Sequence, residues 1–143
     1  PFTELPMGKS RQLRKGNRIA VLTLGTLGTR VKQVLDKLGG TEFTHIDMRY
    51  MKPLDGECLK EVFQQHDLVV TLEDGMLRGG FGSAIMEFAA ENELQKPVKR
   101  MGIGDEFIGH GSVEELEKMT GLDESSIEQE FEHLLSNLKS GSK

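Results

Sequence analysis

The chain is short of cysteine, of long apolar runs and of closely spaced histidines, and each shortage removes a class of protein. A single cysteine, Cys58, among 143 residues has no partner within the chain, which excludes an internal disulfide framework and fits a reducing compartment. The longest strongly apolar run, Ile19 to Leu24, is broken by Thr23. That is far short of the ~20 residues needed to cross a bilayer, and it does not read as a signal peptide. With no targeting signal in view, the expected location is cytoplasmic. The four histidines, His45, His66, His110 and His133, lack ligand spacing, so no metal site is predicted. Pro1 is not preceded by an initiator methionine, and the chain is expected to be a segment of a longer one.

What is present fits one domain over residues 1–143. At this length a compact fold buries roughly 68–70% of the surface of the unfolded chain, so one core suffices without metal or disulfide. The net charge is −5, but it is unevenly spread. Lys9, Arg11, Arg14, Lys15 and Arg18 fall together, whereas Asp105 to Glu132 holds ten acidic residues against Lys118 alone. A nucleic-acid arm would interleave aromatic residues with the basic ones, and none is there. The basic segment reads instead as an edge strand protected by its charges, and the acidic stretch as solvated helix faces.

Strands alternate with helices along the chain. Ile19–Leu24, Phe43–Met48, Asp67–Leu72 and Pro97–Ile103 read as strands, the first as one buried on both faces. Between them Leu27, Val31, Val34, Leu35 and Leu38 recur at helical spacing and stop at Gly39-Gly40. Asp55 reads as the N-cap of a helix burying Leu59, Val62 and Phe63. A third helix follows the glycine-rich turn, with Ile85, Met86, Phe88 and Ala89 expected inward. Ser112 and Glu115 have capping-box spacing for a short helix ended by Gly121. Asp123 then caps a helix with the stripe Ile127, Phe131, Leu134, Leu135 and Leu138, and residues 140–143 are expected to fray. Such alternation implies a parallel sheet with helices on both faces.

In that architecture ligands lie beyond the carboxyl ends of the strands, so the loops there hold any chemistry. Gly25-Thr26-Leu27-Gly28 opens a helix but lacks the lysine and hydroxyl of a P-loop. Gly80-Phe81-Gly82 is followed by Ile85 where a dinucleotide fingerprint needs glycine, which argues against such a cofactor. Glu73 and Asp74 are adjacent on a strand end and should face opposite ways, which disfavours a paired-carboxylate mechanism. His110 has no nucleophile near it in sequence and reads as hydrogen-bonded to local backbone or across an interface, and Cys58 reads as packing.

Three segments together, Asp47 to Asp55 with Lys52-Pro53-Leu54-Asp55, Glu73-Asp74 followed by Gly79-Gly80-Phe81-Gly82-Ser83, and Asp105 to Ser112 with Phe107-Ile108-Gly109-His110-Gly111, resemble the C-terminal domain of 1-deoxy-D-xylulose-5-phosphate synthase. Their order matches over nearly the whole chain, and Gly104, where that family's motif has proline, departs from it. The resemblance implies a three-layer αβα fold with a mostly parallel five-stranded sheet and one antiparallel edge strand, placed at the basic segment in an edge-strand hairpin region over 1–17. It implies that the full-length enzyme is a homodimeric transferase joining pyruvate to glyceraldehyde 3-phosphate for isoprenoid precursors, with thiamine diphosphate and magnesium. It also implies that this segment carries no catalytic residue, no cofactor and no metal ligand, and is inactive alone. Its partners would be the catalytic domains of the same polypeptide, with no nucleic acid or membrane. On that basis Arg49, Lys52, Asp55, Glu73, Gly79, Gly80, Phe81, Gly82, Asp105 and His110 are expected at interdomain or subunit contacts. Another transketolase or 2-oxoacid dehydrogenase C-terminal domain, a phosphate- or nucleotide-binding domain built on Gly25–Gly28, and a protein-interaction module are the alternatives.

Overall fold

A computed structural model describes residues 9–49, 54–73, 80–101 and 122–141. The elements run β1 (Arg11–Arg14), β2 (Ile19–Thr23), α1 (Leu27–Leu38), β3 (Phe43–Asp47), α2 (Gly56–Gln65), β4 (Leu68–Leu72), α3 (Phe81–Glu91), β5 (Val98–Met101) and α4 (Glu124–Gly141). The sheet order is β1-β3-β2-β4-β5. Strands β3, β2, β4 and β5 are parallel, and β1 joins antiparallel to β3 with an irregularity between Gln12 and Arg14.

Alternation along the strands builds two cores. Ile19, Val21, Phe43, Val70 and Leu72 face one side and meet Val31, Val34 and Leu35 of α1 with Ile127 and Phe131 of α4. Ala20, Leu22, Ile46 and Val69 face the other side and meet Leu59, Val62 and Phe63 of α2 with Phe81, Ile85 and Ala89 of α3. Each full burial of such a side chain contributes about 1.5–3 kcal/mol. The acidic helix α4 is held chiefly by this packing. Its ion pairs Lys37–Glu128 (3.1 Å) and Lys99–Glu130 (3.7 Å) join partly exposed side chains, a class worth little individually. Arg30 fixes the approach to α4 by donating to the Leu122 carbonyl at 2.9 Å.

The helix ends follow their sequence signals. Gly39 closes α1 at φ 69°, its amide donating to the Leu35 carbonyl. The end of α2 has no basic residue of its own. Lys96, thirty residues on, supplies one, donating to the carbonyls of Phe63 (2.9 Å) and His66 (2.6 Å). A cation there satisfies terminal carbonyls and opposes the helix dipole.

The structure corrects several expectations. Met86 is 43% exposed because it lies one helical step from Ile85, on the outer side of the Phe81, Ile85, Ala89 stripe. The basic edge strand is present, but it forms no hairpin with β2. It passes β2 and pairs with β3, and the intervening turn is tied to the start of β3 by Gly16 N–H donating to Thr44 Oγ1 at 2.8 Å. Leu24 and Met48 lie just beyond their strands. The capping box at Ser112 and Glu115 and the stop at Gly121 lie outside the described residues. No helix among the described residues is long and apolar enough to cross a membrane.

Candidate functional site

The carboxyl ends of the four parallel strands carry two side-chain clusters. Because β1 is antiparallel, its entrance at Lys9 and Ser10 lies at the same edge as the exit of β3. The first cluster forms there. Asp55 caps α2, its Oδ1 accepting from the Cys58 amide at 3.2 Å, while its Oδ2 accepts from the Ser10 amide (2.8 Å) and hydroxyl (3.0 Å). Burial alone would raise the Asp55 pKa, but the Ser10 and Cys58 amides, the Ser10 hydroxyl and the nearby Lys9 charge outweigh it and hold the carboxyl below its ordinary value of 3.8. A lowered carboxyl contributes stability above its unfolded-state pKa and loses it as the pH falls through the folded value. The cap is therefore intact at neutral pH.

Arg49 follows β3 with φ 65°, a left-handed conformation unusual for a residue with a side chain. Its amide donates to Asp47 Oδ1 at 3.0 Å, and its guanidinium to the Lys9 carbonyl at 3.2 Å. Asp47, Arg49 and Asp55 thus tie the β3 exit and the α2 entrance to the segment before β1. Cys58 is half-buried beside them. Burial is the main cause that pushes its thiol pKa up, which makes it a poor nucleophile.

The second cluster joins β4, β5 and α3. Glu73, at the end of β4, is 1% exposed. Its Oε2 accepts from the Gly82 amide at 3.0 Å and lies 4.0 Å from Arg100 Nε. Gly80 caps α3 at φ 118°, a conformation open chiefly to glycine. Gly82 is required for a different reason: a Cβ there would lie 2.8 Å from Glu73 Oε2 and 2.9 Å from Arg100 Nε. Phe81 between them is buried in the α2/α3 core.

Of the residues expected at contacts, the structure brings Arg49 to the Asp55 cluster and Gly80, Phe81 and Gly82 to the Glu73 cluster. Lys52, Gly79, Asp105 and His110, with Asp74, lie outside the described residues. Sequence reading passed over Arg100, whose alternation with Val98 puts it on the α3 side of β5, and Ser10, which no motif marks. It also passed over His45, fully buried on β3 with Nε2 3.0 Å from Thr23 Oγ1. Burial, then the Lys32 charge, lower the His45 pKa from 6.5 to about 4.

The start of α1 has no side-chain cap and no acid in its first turn, and nothing else there marks an anion site. Among the described residues no group of three or more His, Cys, Asp or Glu side chains is arranged to hold a metal. Asp55 is fully engaged by its own fold, and Glu73 is closed in beneath Gly82. These residues do not fit a magnesium diphosphate group.

Residues 8–127 match the family described as transketolase, C-terminal domain. The chain is 44% identical over 130 residues to 1-deoxy-D-xylulose-5-phosphate synthase from Phocaeicola vulgatus, an alignment covering 89% of this chain and 21% of that protein. It is 37% identical over 134 residues to the synthase from Vibrio vulnificus, with 94% and 21% covered. Among solved structures it is similar to one described as a split gene transketolase, inactive beta4 tetramer, with a TM-score of 0.76, 27% identity, and coverage of 89% of this chain and 42% of that one. The chain spans about a fifth of the length of the curated relatives it matches. The parallel sheet with one antiparallel edge, its two helical layers and the match over residues 8–127 place this chain in the transketolase C-terminal domain family.

Proposed function

We propose that this chain serves as the C-terminal domain of a 1-deoxy-D-xylulose-5-phosphate synthase, a thiamine-diphosphate- and magnesium-dependent transferase that condenses pyruvate with glyceraldehyde 3-phosphate and releases carbon dioxide. The observation that carries this reading is the 37–44% identity to such synthases along about nine-tenths of the chain. The domain's part is architectural. Its carboxyl edge, with Arg49 and Asp55 on one side and Glu73, Gly80, Phe81 and Gly82 on the other, faces the catalytic domains of the same polypeptide, and Lys52, Gly79, Asp105 and His110 are assigned to the same interdomain contacts. Interfaces of this kind bury about 600–1,500 Å². The enzyme works as a cytoplasmic homodimer.

The full-length protein that contains this segment is expected to form 1-deoxy-D-xylulose 5-phosphate from pyruvate and glyceraldehyde 3-phosphate. A full-length protein that instead transfers a two-carbon unit between sugar phosphates, with no use of pyruvate, would overturn the reading.

A further inference from the structure

We propose that Glu73 is a positioning residue for the reaction of the full-length enzyme, acting through Gly82 on the turn that opens α3. The inference rests on the functional reading above and deepens it.

Glu73 is bonded in two directions. Its amide donates to the Met101 carbonyl at 3.1 Å, which ties the end of β4 to the end of β5. Its side chain reaches nine residues ahead to the Gly82 amide, which ties the same point to the first turn of α3. One residue, through its amide and its carboxylate, thus joins the ends of β4 and β5 to the first turn of α3.

The pair it makes with Arg100 is a poor stabiliser. Glu73 Oε1 and Arg100 Nε are both buried and, among the described residues, neither has a hydrogen-bond partner, while the ion pair itself spans 4.0 Å. Taking a carboxylate out of water costs more than so long a contact returns, and a well-packed apolar side chain would serve stability better. An under-satisfied buried group calls for a use besides stability. Here the available use is geometric: the charge and its single short bond set how far the start of α3 stands from the ends of β4 and β5. In the functional reading proposed above, that spacing sets how the Gly80–Gly82 turn is presented to the catalytic domains.

The test compares the wild-type full-length enzyme with Glu73→Gln and Gly82→Ala. Glutamine keeps the shape but removes the charge. Alanine at 82 keeps both charged groups and brings its methyl to 2.8 Å from Glu73 Oε2 and 2.9 Å from Arg100 Nε, so the pair and the turn must shift to admit it. Both variants are expected to lose roughly 10-fold or more in kcat per folded enzyme, as small misplacements do. The KM for pyruvate should change by less than about twofold, the pattern of an effect confined to the transition state. Combining the two should cost little beyond either alone. Wild-type kcat in either folded variant, or a loss that only tracks the folded fraction, overturns the inference while leaving the functional reading in place. A wild-type enzyme that does not form the product overturns both.

Discussion

Replacing Phe131 by alanine is expected to destabilise the domain by about 3–5 kcal/mol, the range for emptying a buried aromatic site. Phe131 is fully buried, and its ring stacks on Phe43 with centroids 5.3 Å apart and planes at 26°. That pair joins α4 to β3 at the centre of the apolar packing that, with fully buried Ile127, seats the helix, while its ion pairs involve partly exposed side chains and add little. Losing the ring should lower the midpoint of thermal unfolding by ten degrees or more, on the scale of roughly 2–8 °C per kcal/mol for domains of 60–250 residues. A shift of only a degree or two would mean that α4 does not rest on the α1 side of the sheet.

The second large effect is on stability against pH. His45 has an ordinary pKa of 6.5 and about 4 when folded, so it is neutral in the native protein at neutral pH. As the pH falls below 6.5 the unfolded chain takes up a proton that the folded chain refuses. Stability is therefore lost progressively down to about pH 4 and levels off below it, by about 3 kcal/mol in all from this residue. The surroundings account for the refusal. The ring is fully buried, Thr23 of β2 meets Nε2, Lys32 of α1 opposes a second positive charge, and Arg14 of β1 is its register partner. Urea unfolding of the wild type and of His45→Gln at pH 7 and pH 4.5 measures it. Much of the acid-induced fall should disappear in the variant, and an equal fall in both would show that other groups are responsible.

Much of the fold was legible because the relevant forces are periodic. Ile19 to Leu24 is a short apolar run that fits a strand covered on both faces, and Leu27, Val31, Val34 and Leu35 repeat at the helical period, so both elements are legible from local pattern. Asp55 was legible as a cap because the chemistry of a helix entrance is local. What stayed hidden depends on contacts distant in sequence. Nothing near Ser10 states that it will meet Asp55 forty-five residues away, and nothing near Lys96 states that it will finish α2. The path of β1 past β2 is set by the Gly16–Thr44 contact, which sequence order disguises as a hairpin. Met86 was misread because apolar character was taken for burial, when the angle around α3 decides it. Glu73 was noticed as half of an adjacent carboxylate pair. Its engagement with Gly82 and Arg100 required three elements to be placed first.

In the proposed role this chain is an architectural domain whose own residues hold no thiamine diphosphate. Calorimetric titration of the isolated chain with thiamine diphosphate and magnesium tests that directly. The predicted result is no saturable heat of binding into the millimolar range. A micromolar site on the isolated chain would contradict it.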